Sequence, residues 1–543
     1  MKNINKTKVQ NQQLGLGWWN LYFIIKIALY LKGVIGFHPV ENFAFVAYLL
    51  VPIKNRYLRL VKNIVAFPIA FWLGHFDSFL PPLDRLWAQI GSLMSFKLDY
   101  LFELMMRFIS LQDILAIAVV IFAYYFFNRF LRVSIFVVAA MVYISIPTAT
   151  PQAPTAIAVS PAQTQSAQTN SNNSAADESG PVNDAVLNQA TQNFFANEAT
   201  RTSTFPPNGA QAQPFDVLFL SICSVAWDDV KIAGLEDHPL FKQFDIMFDN
   251  FSAATSYSGP ALVRLLRASC GQEQHSELFS DAPRKQCYLF DNLAKLGYGE
   301  NLMLNHNGSF DNFTGLLKDS GHLTAPIMNK DGLKPYQAAF DGSNIYRDKE
   351  VLDRWLSNRE KDPQEKVAAL YNTISLHDGN RILSNTGETG LPSYKHRLKN
   401  LLDDLNAFFE EIKKSKRNVV VFLVPEHGAG MHGDKMQIPG MREIPSSSIV
   451  HTPVGMKIFG SNIKRTGETY HVKEPSSYLA VSTLVSRLLE QNTYSKDTFD
   501  PKALAQDLPQ TKLVAQNEGT TVIEYNHKPY VSLDGQTWEA YPQ

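Results

Sequence analysis

Apolar stretches that could enter a lipid bilayer recur through the first 147 residues of this chain of 543 residues. A helix that crosses a bilayer needs roughly 20 mostly apolar residues, and several of these stretches reach that length only with their flanks. Their recurrence long after the first one argues against a cleaved signal peptide. We predict a transmembrane domain at residues 1–147 with about five helices, near residues 16–37, 43–53, 58–73, 114–127 and 133–146.

Basic residues between these stretches predict the orientation of the chain in the membrane. Four Lys and Arg residues lie between positions 54 and 62, and Arg129 and Arg132 lie between the last two stretches. Connections rich in Lys and Arg stay on the cytoplasmic side. Because the predicted number of spans is odd, everything after residue 147 is expected on the opposite side.

The next segment, residues 148–213, has the composition of a linker. It consists mainly of Pro, Thr, Ala, Gln, Ser and Asn, and no Lys or Arg occurs between Arg132 and Arg201. Such a segment buries too little apolar surface to offset the entropy of ordering the chain. We predict that it is disordered and tethers the following domain.

Residues 214–543 have the pattern of an α/β domain. Short apolar runs such as residues 217–220 and 419–424 predict strands that are buried on both faces. Between such runs lie helical patterns, the clearest of which is an apolar stripe over residues 398–412. Alternating strands and helices predict a mostly parallel central sheet.

The charge balance argues against a nucleic-acid partner. The chain has 50 Lys and Arg against 51 Asp and Glu, a formal net charge of −1. A general nucleic-acid binder needs an excess of basic residues to neutralise phosphates. We therefore expect no nucleic-acid binding.

Groups that can bind a metal follow the apolar runs of the predicted sheet. Ligands of open α/β sheets bind beyond the carboxyl ends of the strands, and four runs end in Cys223, His306, His377 and the pair Glu426 and His427. Thiolate, imidazole and carboxylate are the ligands of zinc. We predict a metal site at Cys223 and the pair, although a buried apolar role for Cys223 and a solvated loop for the pair stay open. A structural role is as compatible with His306 and His377 as a functional one.

Ser258 is a candidate nucleophile. It lies in the run Ser-Tyr-Ser-Gly-Pro at residues 256–260, directly before a helical pattern. A serine at this place can cap the helix, and local sequence favours that role. It can also attack a phosphoryl group, because a helix N-terminus stabilises an anion and a nearby metal activates a hydroxyl.

The remaining cysteines, Cys270 and Cys287, lie in the part of the chain expected outside the cytoplasm, where disulfides persist. A bridge between them would leave Cys223 unpaired, as a metal ligand must be. Another pairing is also compatible with the sequence.

Five motifs together resemble the bacterial cellulose phosphoethanolamine transferases (the cellulose biosynthesis protein G type), of the alkaline phosphatase superfamily. The motifs are Ser-Ile-Cys at 221–223, Ser-Tyr-Ser-Gly-Pro at 256–260, Arg-Leu-Leu-Arg-Ala-Ser-Cys-Gly at 264–271, Leu-His-Asp-Gly-Asn at 376–380 and Pro-Glu-His-Gly-Ala at 425–429. The resemblance covers the whole layout of the chain. It implies a multi-pass bacterial inner-membrane enzyme with a periplasmic catalytic domain of the alkaline phosphatase/sulfatase type, working with cellulose synthase subunits.

The resemblance also implies the site residues. A zinc ion would be held by Cys223, Ser258, Glu426 and His427. The implied catalytic residues are Ser258, His377, Tyr257 and Arg442. Lipid A phosphoethanolamine transferases instead use a threonine nucleophile, an acidic first ligand and an Asp-His pair, so the departures in this chain favour cellulose as the acceptor.

The implied reaction moves phosphoethanolamine from phosphatidylethanolamine to glucose hydroxyls of nascent cellulose, at O6, through a phosphoethanolamine-serine intermediate. Three alternatives remain at this point. The acceptor could be lipid A or another envelope glycan, the enzyme could be a zinc-dependent phosphodiesterase or sulfatase-type hydrolase, or the chain could be a non-catalytic subunit. The complete set of motif residues argues against the last alternative.

Overall fold

The computed structural model describes residues 15–32, 35–53, 55–78, 96–108, 111–146, 182–207, 211–282 and 284–542. The chain divides into two compact units. The first consists of Met1–Trp87 and Met105–Glu178, and the second consists of Ala88–Leu104 and Ser179–Gln543.

Helices occupy most of the described residues before position 147. They are α1 (Trp19–Leu31), α2 (Pro39–Leu50), α3 (Arg56–Phe76), α4 (Leu98–Phe108), α5 (Leu111–Phe127) and α6 (Val133–Ser145). All five predicted apolar stretches coincide with a helix. Within the described ranges, only α3 has the length and composition to cross a membrane by itself, with 21 residues and a mean hydropathy of 1.2. The other apolar helices are shorter, so five spans stay a prediction.

A buried ion pair lies inside this first unit. The Nζ of Lys26 on α1 lies 2.5 Å from Oδ2 of Asp77, which follows α3. Asn42 on α2 donates to the same carboxylate at 2.8 Å and accepts from Lys26 at 2.7 Å. All three side chains are buried. The polar groups therefore satisfy one another inside an otherwise apolar helix cluster.

The second unit is built around a seven-stranded mixed sheet, with strands numbered along the chain. The order is β11 (Tyr470–Val472), β2 (Ile246–Phe248), β9 (Val454–Phe459), β8 (Val419–Pro425), β1 (Asp216–Ile222), β6 (Val367–Thr373) and β3 (Gly299–Leu304). Neighbours β8, β1, β6 and β3 run parallel, as do β11 and β2, whereas β9 is antiparallel to both of its neighbours. The predicted mostly parallel sheet is confirmed.

The second unit also contains helices, which pack on more than one of its sheets. They are α7 (Asp184–Glu198), α8 (Trp227–Ala233), α9 (Ser258–Leu266), α10 (Leu289–Lys295), α11 (Phe313–Asp319), α12 (Asp348–Arg359), α13 (Gly390–Ser415), α14 (Ser447–Val450), α15 (Tyr478–Glu490) and α16 (Pro501–Ala505). Alternate residues of β1 enter different cores. Phe219 packs in the cluster that contains Leu262 of α9, and Leu220 packs in the cluster that contains Leu405 of α13. The predicted stripe over residues 398–412 is the buried face of α13.

Smaller sheets surround the central one. β4 (Pro335–Ala338), β5 (Asn344–Tyr346) and β7 (Arg381–Ile382) form one, and β10 (Lys464–Arg465) pairs with β12 (Thr498–Phe499). The chain ends in a four-stranded antiparallel sheet of β13 (Val514–Asn517), β14 (Thr520–Tyr525), β15 (Lys528–Ser532) and β16 (Glu539–Ala540).

The predicted disorder of residues 148–213 is wrong for α7. The side chain of Asn183 accepts from the Val186 N–H at 3.1 Å and caps the helix. Leu187 and Phe195 then pack with apolar side chains of the C-terminal sheet. Because this packing partner lies more than 300 residues away, composition alone could not reveal it. Residues 147–181 lie outside the described part of the chain.

Candidate active site

The carboxyl ends of two neighbouring strands, β1 and β8, bring the candidate metal ligands to one edge of the sheet. β8, β1 and β6 are adjacent and parallel, so their carboxyl ends lie together. Cys223 follows β1, and Glu426 and His427 follow β8. The ligand atoms of these three buried residues lie within 4.8 Å of one another, so the group could hold a metal ion. The predicted convergence of Cys223, Glu426 and His427 is confirmed.

The carboxylate of Glu426 is held at one oxygen only. Ser221 donates to Oε1 at 2.9 Å, and Nδ2 of Asn372 donates to the same oxygen. In the described part of the chain, the buried Oε2 has no hydrogen-bond partner. Burial raises the pKa of Glu426 to about 7. An orphaned buried carboxylate oxygen of this kind fits a cation.

The imidazole of His427 is oriented with Nε2 toward the other ligands. Its Nδ1 lies 2.8 Å from the carbonyl oxygen of Gly428, so Nδ1 carries the hydrogen and donates it. Nε2 lies 4.0 Å from Sγ of Cys223. Burial and the positive charge of Arg442 hold the pKa of His427 well below its usual range. The ring is therefore neutral and presents a lone pair.

Cys223 completes the donor group. It is buried and has no disulfide partner. Burial and the charge of Glu426 raise the pKa of its thiol to about 11. Burial disfavours the ionised forms of the Cys223 thiol and the Glu426 carboxyl. A divalent cation beside them would favour ionisation of both groups.

Ser258 is the first residue of α9, and its side chain points at the donor group. Its Oγ lies 3.2 Å from Nε2 of His427 and 3.4 Å from Sγ of Cys223. The helix cap is Tyr257, whose side chain makes no capping hydrogen bond. The capping role that local sequence favours for Ser258 is therefore wrong. Unlike the three donors, Ser258 is partly exposed.

Arg442 and Tyr257 flank this serine. Nη1 of Arg442 lies 3.1 Å from Oγ of Ser224 and 3.2 Å from Nδ1 of His427. The hydroxyl of Tyr257 donates to Oε1 of Glu443 at 2.5 Å. The structure thus brings Arg442 to the donor group, and Tyr257 directly precedes the serine.

His377 lies on the loop after β6, outside the donor group. Its Nδ1 donates to the Asp378 carbonyl at 2.8 Å, and its ring stacks on Phe340 with centroids 4.5 Å apart. Nη1 of Arg397 donates to its carbonyl oxygen at 3.0 Å. Burial and the charge of Arg442 lower the pKa of His377 to about 4. The ring is therefore neutral at pH 7, with Nε2 able to accept a proton.

Residues from α4 support the same loop within the second unit. The hydroxyl of Tyr100 donates to Oδ2 of Asp378 at 3.0 Å. Glu103 forms an ion pair with Arg381. The loop that carries His377 is therefore held by residues that are distant along the chain.

Two family models match this chain. The model of the N-terminal domain of cellulose biosynthesis protein BcsG matches residues 19–146, and that of its C-terminal domain matches residues 171–538. The chain belongs to the BcsG family. Cellulose biosynthesis protein BcsG of Escherichia coli (strain K12) is 42% identical over 544 residues, covering 97% of each chain. That of Salmonella typhimurium is 41% identical over 547 residues, again covering 97% of each.

Solved structures also resemble this BcsG family member. A protein in the alkaline phosphatase superfamily from Vibrio parahaemolyticus gives a TM-score of 0.44 at 15% identity, covering 66% of this chain and 91% of that chain. The C-terminal periplasmic domain of EptC from Escherichia coli gives 0.41 at 13% identity, covering 63% and 96%.

His306 is not part of the donor group in this BcsG family chain. Its Nε2 donates to Oδ1 of Asn372 at 2.9 Å, and its Nδ1 accepts from the Gly308 N–H at 3.1 Å. Burial lowers the pKa of His306 to about 4, so it stays neutral. It orients Asn372, which in turn donates to Glu426.

The sequence analysis missed several residues of the site. Ser221 and Asn372 are polar residues near the ends of strands that are otherwise apolar, and that contrast is the signal that could have found them. Asn517 has no such signal. Its Nδ2 donates to the carbonyl of Glu443 at 2.9 Å, and its Oδ1 accepts from the Ser256 N–H at 3.2 Å. It joins the serine loop to the segment of Arg442.

Cys270 and Cys287 form a disulfide, and Cys223 remains free. The bridge lies beyond the C-terminal end of α9. The pairing that leaves a free thiol for the donor group is confirmed.

Proposed function

We propose that this chain is a zinc-dependent phosphoethanolamine transferase that modifies nascent cellulose. The donor is phosphatidylethanolamine, and the acceptor is a glucose hydroxyl, at O6. The observation that carries the proposal is the position of Ser258, whose Oγ lies 3.2 Å from His427 within a group of metal donors. The relatives are cellulose biosynthesis proteins, which supports cellulose as the polymer concerned, and the resemblance of the motifs supports phosphoethanolamine as the transferred group.

Zinc fits the donor group, because thiolate, imidazole and carboxylate are its ligands. Cys223, Glu426 and His427 would hold it, together with Oγ of Ser258. Bound there, zinc supplies Lewis acidity, which lowers the pKa of a hydroxyl and stabilises negative charge on phosphoryl oxygens.

Ser258 is the nucleophile of the first half-reaction. Its Oγ loses its proton and forms a bond to the phosphorus of the lipid, while the bond from phosphorus to the diacylglycerol oxygen breaks. That oxygen takes up a proton as diacylglycerol leaves. The free N–H groups at the start of α9 donate to phosphoryl oxygens. Arg442 adds a guanidinium that can hold the same oxygens.

In the second half-reaction a glucose hydroxyl takes the place of the serine. Its oxygen forms a bond to phosphorus, the bond from phosphorus to Oγ breaks, and Ser258 regains a proton. His377 is the candidate base for the incoming hydroxyl, because its ring is neutral and its Nδ1 hydrogen is committed to the Asp378 carbonyl. The glucose hydroxyl thus loses one proton and the serine gains one.

The first unit anchors the enzyme in the inner membrane through several passes. Its helices expose large apolar side chains, such as Phe67 at 69%, Phe122 at 74% and Phe136 at 61%. Surfaces of this kind require a lipid or protein partner. The disulfide supports a periplasmic location of the catalytic domain, since disulfides persist there. A lipid donor and a polymer leaving the membrane suit such an anchored enzyme, and we propose subunits of the cellulose synthase complex as its partners.

Solid-state NMR of cellulose tests this function. Cellulose from cells that produce the chain should carry phosphoethanolamine, and cellulose from cells with the Ser258→Ala variant should not. Unmodified cellulose from cells with abundant wild-type protein would overturn the proposal.

A further inference from the structure

The proposed reaction does not use Glu443, a carboxylate that is hydrogen-bonded to Tyr257, the residue before the candidate nucleophile. Glu443 follows Arg442, and its Oε1 accepts the hydroxyl of Tyr257 at 2.5 Å. Its side chain is partly exposed. Among the described residues, no Lys, Arg or His forms an ion pair with it. Within that part of the chain, the carboxyl group of Glu443 therefore has Tyr257 as a hydrogen-bond partner and no ion-pair partner.

The backbone around Glu443 is fixed from both sides. Asn517 donates to the carbonyl oxygen of Glu443 at 2.9 Å. The next residue, Ile444, exchanges two hydrogen bonds with the side chain of Gln437, at 2.8 and 2.9 Å. A carboxylate held in this way is preorganised for a ligand, because little side-chain and backbone entropy is lost on binding.

The proposed donor group has two charges of opposite sign. Its phosphate would face Arg442 and the start of α9, which are positive, and two carbons separate the phosphate from the ammonium. Glu443 is the neighbour of Arg442 along the chain, and Tyr257 is the neighbour of Ser258. The hydrogen bond between Tyr257 and Glu443 joins these two segments, so a carboxyl group lies next to the residue that precedes Ser258. An ammonium also gains from the face of an aromatic ring such as that of Tyr257.

We propose that Glu443, steadied by Tyr257, binds the primary ammonium of the transferred aminoethyl phosphoester. This subsite rests on the proposed function, and it identifies Glu443 as the group that selects the lipid donor. Glu443 determines which lipid headgroup is bound, whereas Ser258 carries out the phosphoryl transfer. Glutamine at position 443 keeps an oxygen that can accept from Tyr257 but has no charge.

The test compares two lipids with the full-length chain in detergent micelles. One lipid is phosphatidylethanolamine, and the other carries a propyl phosphoester in place of the aminoethyl one. Glu443→Gln should raise KM for phosphatidylethanolamine about tenfold, the size of a lost charge-assisted contact, and leave the rate with the propyl lipid unchanged. Glu539→Gln, at an exposed position of β16, is the matched control. Zinc content should be equal in all three proteins.

An equal loss of activity with both lipids would overturn the subsite, because it would mean that Glu443 only supports the fold of the site. Unchanged selectivity in Glu443→Gln would overturn it too. A wild-type chain that transfers neither headgroup would instead overturn the proposed function, and the subsite with it.

Discussion

The hydroxyl oxygen of Ser258 lies 3.2 Å from Nε2 of His427, although 169 residues separate the two along the chain. The contact depends on the parallel pairing of β1 and β8, which aligns Ile222 with Pro425 at the sheet edge, and on the start of α9. This position fits the proposed role of Ser258 as the nucleophile.

Ser258→Ala should abolish transfer and prevent formation of a covalent adduct. Incubation of the wild-type chain with phosphatidylethanolamine and no acceptor should leave phosphoethanolamine on Ser258, detected by peptide mass spectrometry. Ser258 does not cap α9, so loss of its hydroxyl should cost no more than about 1 kcal/mol of stability. Ser461→Ala, at an exposed position, should keep full activity. An adduct on another residue would refute this assignment.

Cys223→Ala and His427→Ala should each lose the metal and keep the fold. The wild-type chain should hold about one zinc ion, measured by elemental mass spectrometry of protein purified without added metal. Far-UV circular dichroism should be unchanged, because the sheet edge is held by seven-residue strands. Full transferase activity in metal-free protein would contradict the zinc site.

Asn372→Ala should weaken zinc binding without removing a ligand. Asn372 and Ser221 are the donors that fix Oε1 of Glu426. Loss of such a supporting contact typically lowers metal affinity by about 10–100-fold, which competition with a chelator can measure. Asn385→Ala, at an exposed position, is the control. Equal affinities in the two variants would show that Asn372 does not orient the carboxylate.

His377 should make the protein less stable in acid. Its pKa of about 4 in the folded chain lies below the value of about 6.5 in an unfolded chain, so the unfolded state binds more protons between these values. Stability is therefore lost as the pH falls from 6.5 to 4, by no more than about 3 kcal/mol. His377→Asn should flatten this part of the unfolding profile, and His527→Asn, at an exposed turn, should not. Identical slopes for wild type and His377→Asn would contradict the lowered pKa.

The buried pair of Lys26 and Asp77 should show strong coupling. Asp77→Leu alone leaves a buried lysine without its anion, and breaking a buried pair in this way costs about 3–5 kcal/mol. The double variant Lys26→Met with Asp77→Leu should recover most of the lost stability, because no unpaired charge remains. Thermal unfolding in detergent measures the stability of the single and the double variant. A double variant as unstable as the single one would show that the two residues do not act as a pair.

The sequence could predict the parts of the fold that depend on local pattern. Strands β1 and β8 are continuous apolar runs, so their ends, and with them Cys223 and Glu426, were placed correctly. The strand before His377 was predicted to run up to that residue, whereas β6 spans Val367–Thr373. An apolar pattern does not show where the hydrogen bonds between strands end.

The rest of the site depends on contacts between distant segments. Asn517 meets Ser256 across 261 residues, and nothing in either local sequence indicates the partner. The helix α7 was missed for the same reason, since its apolar side chains pack on the C-terminal sheet. A local sequence pattern predicts helices and strands. Contacts between distant segments form only when those helices and strands pack together.

The support of the His377 loop by Tyr100 bears on how such enzymes are assayed. The catalytic unit is discontinuous, since it includes Ala88–Leu104 as well as Ser179–Gln543. A soluble fragment that starts at residue 179 would keep the zinc donors and the nucleophile, but Asp378 would lose the hydroxyl of Tyr100 and Arg381 would lose Glu103. If His377 is the base that we propose, turnover numbers from such fragments would describe an enzyme whose base is held less firmly, and would understate the activity of the full-length chain.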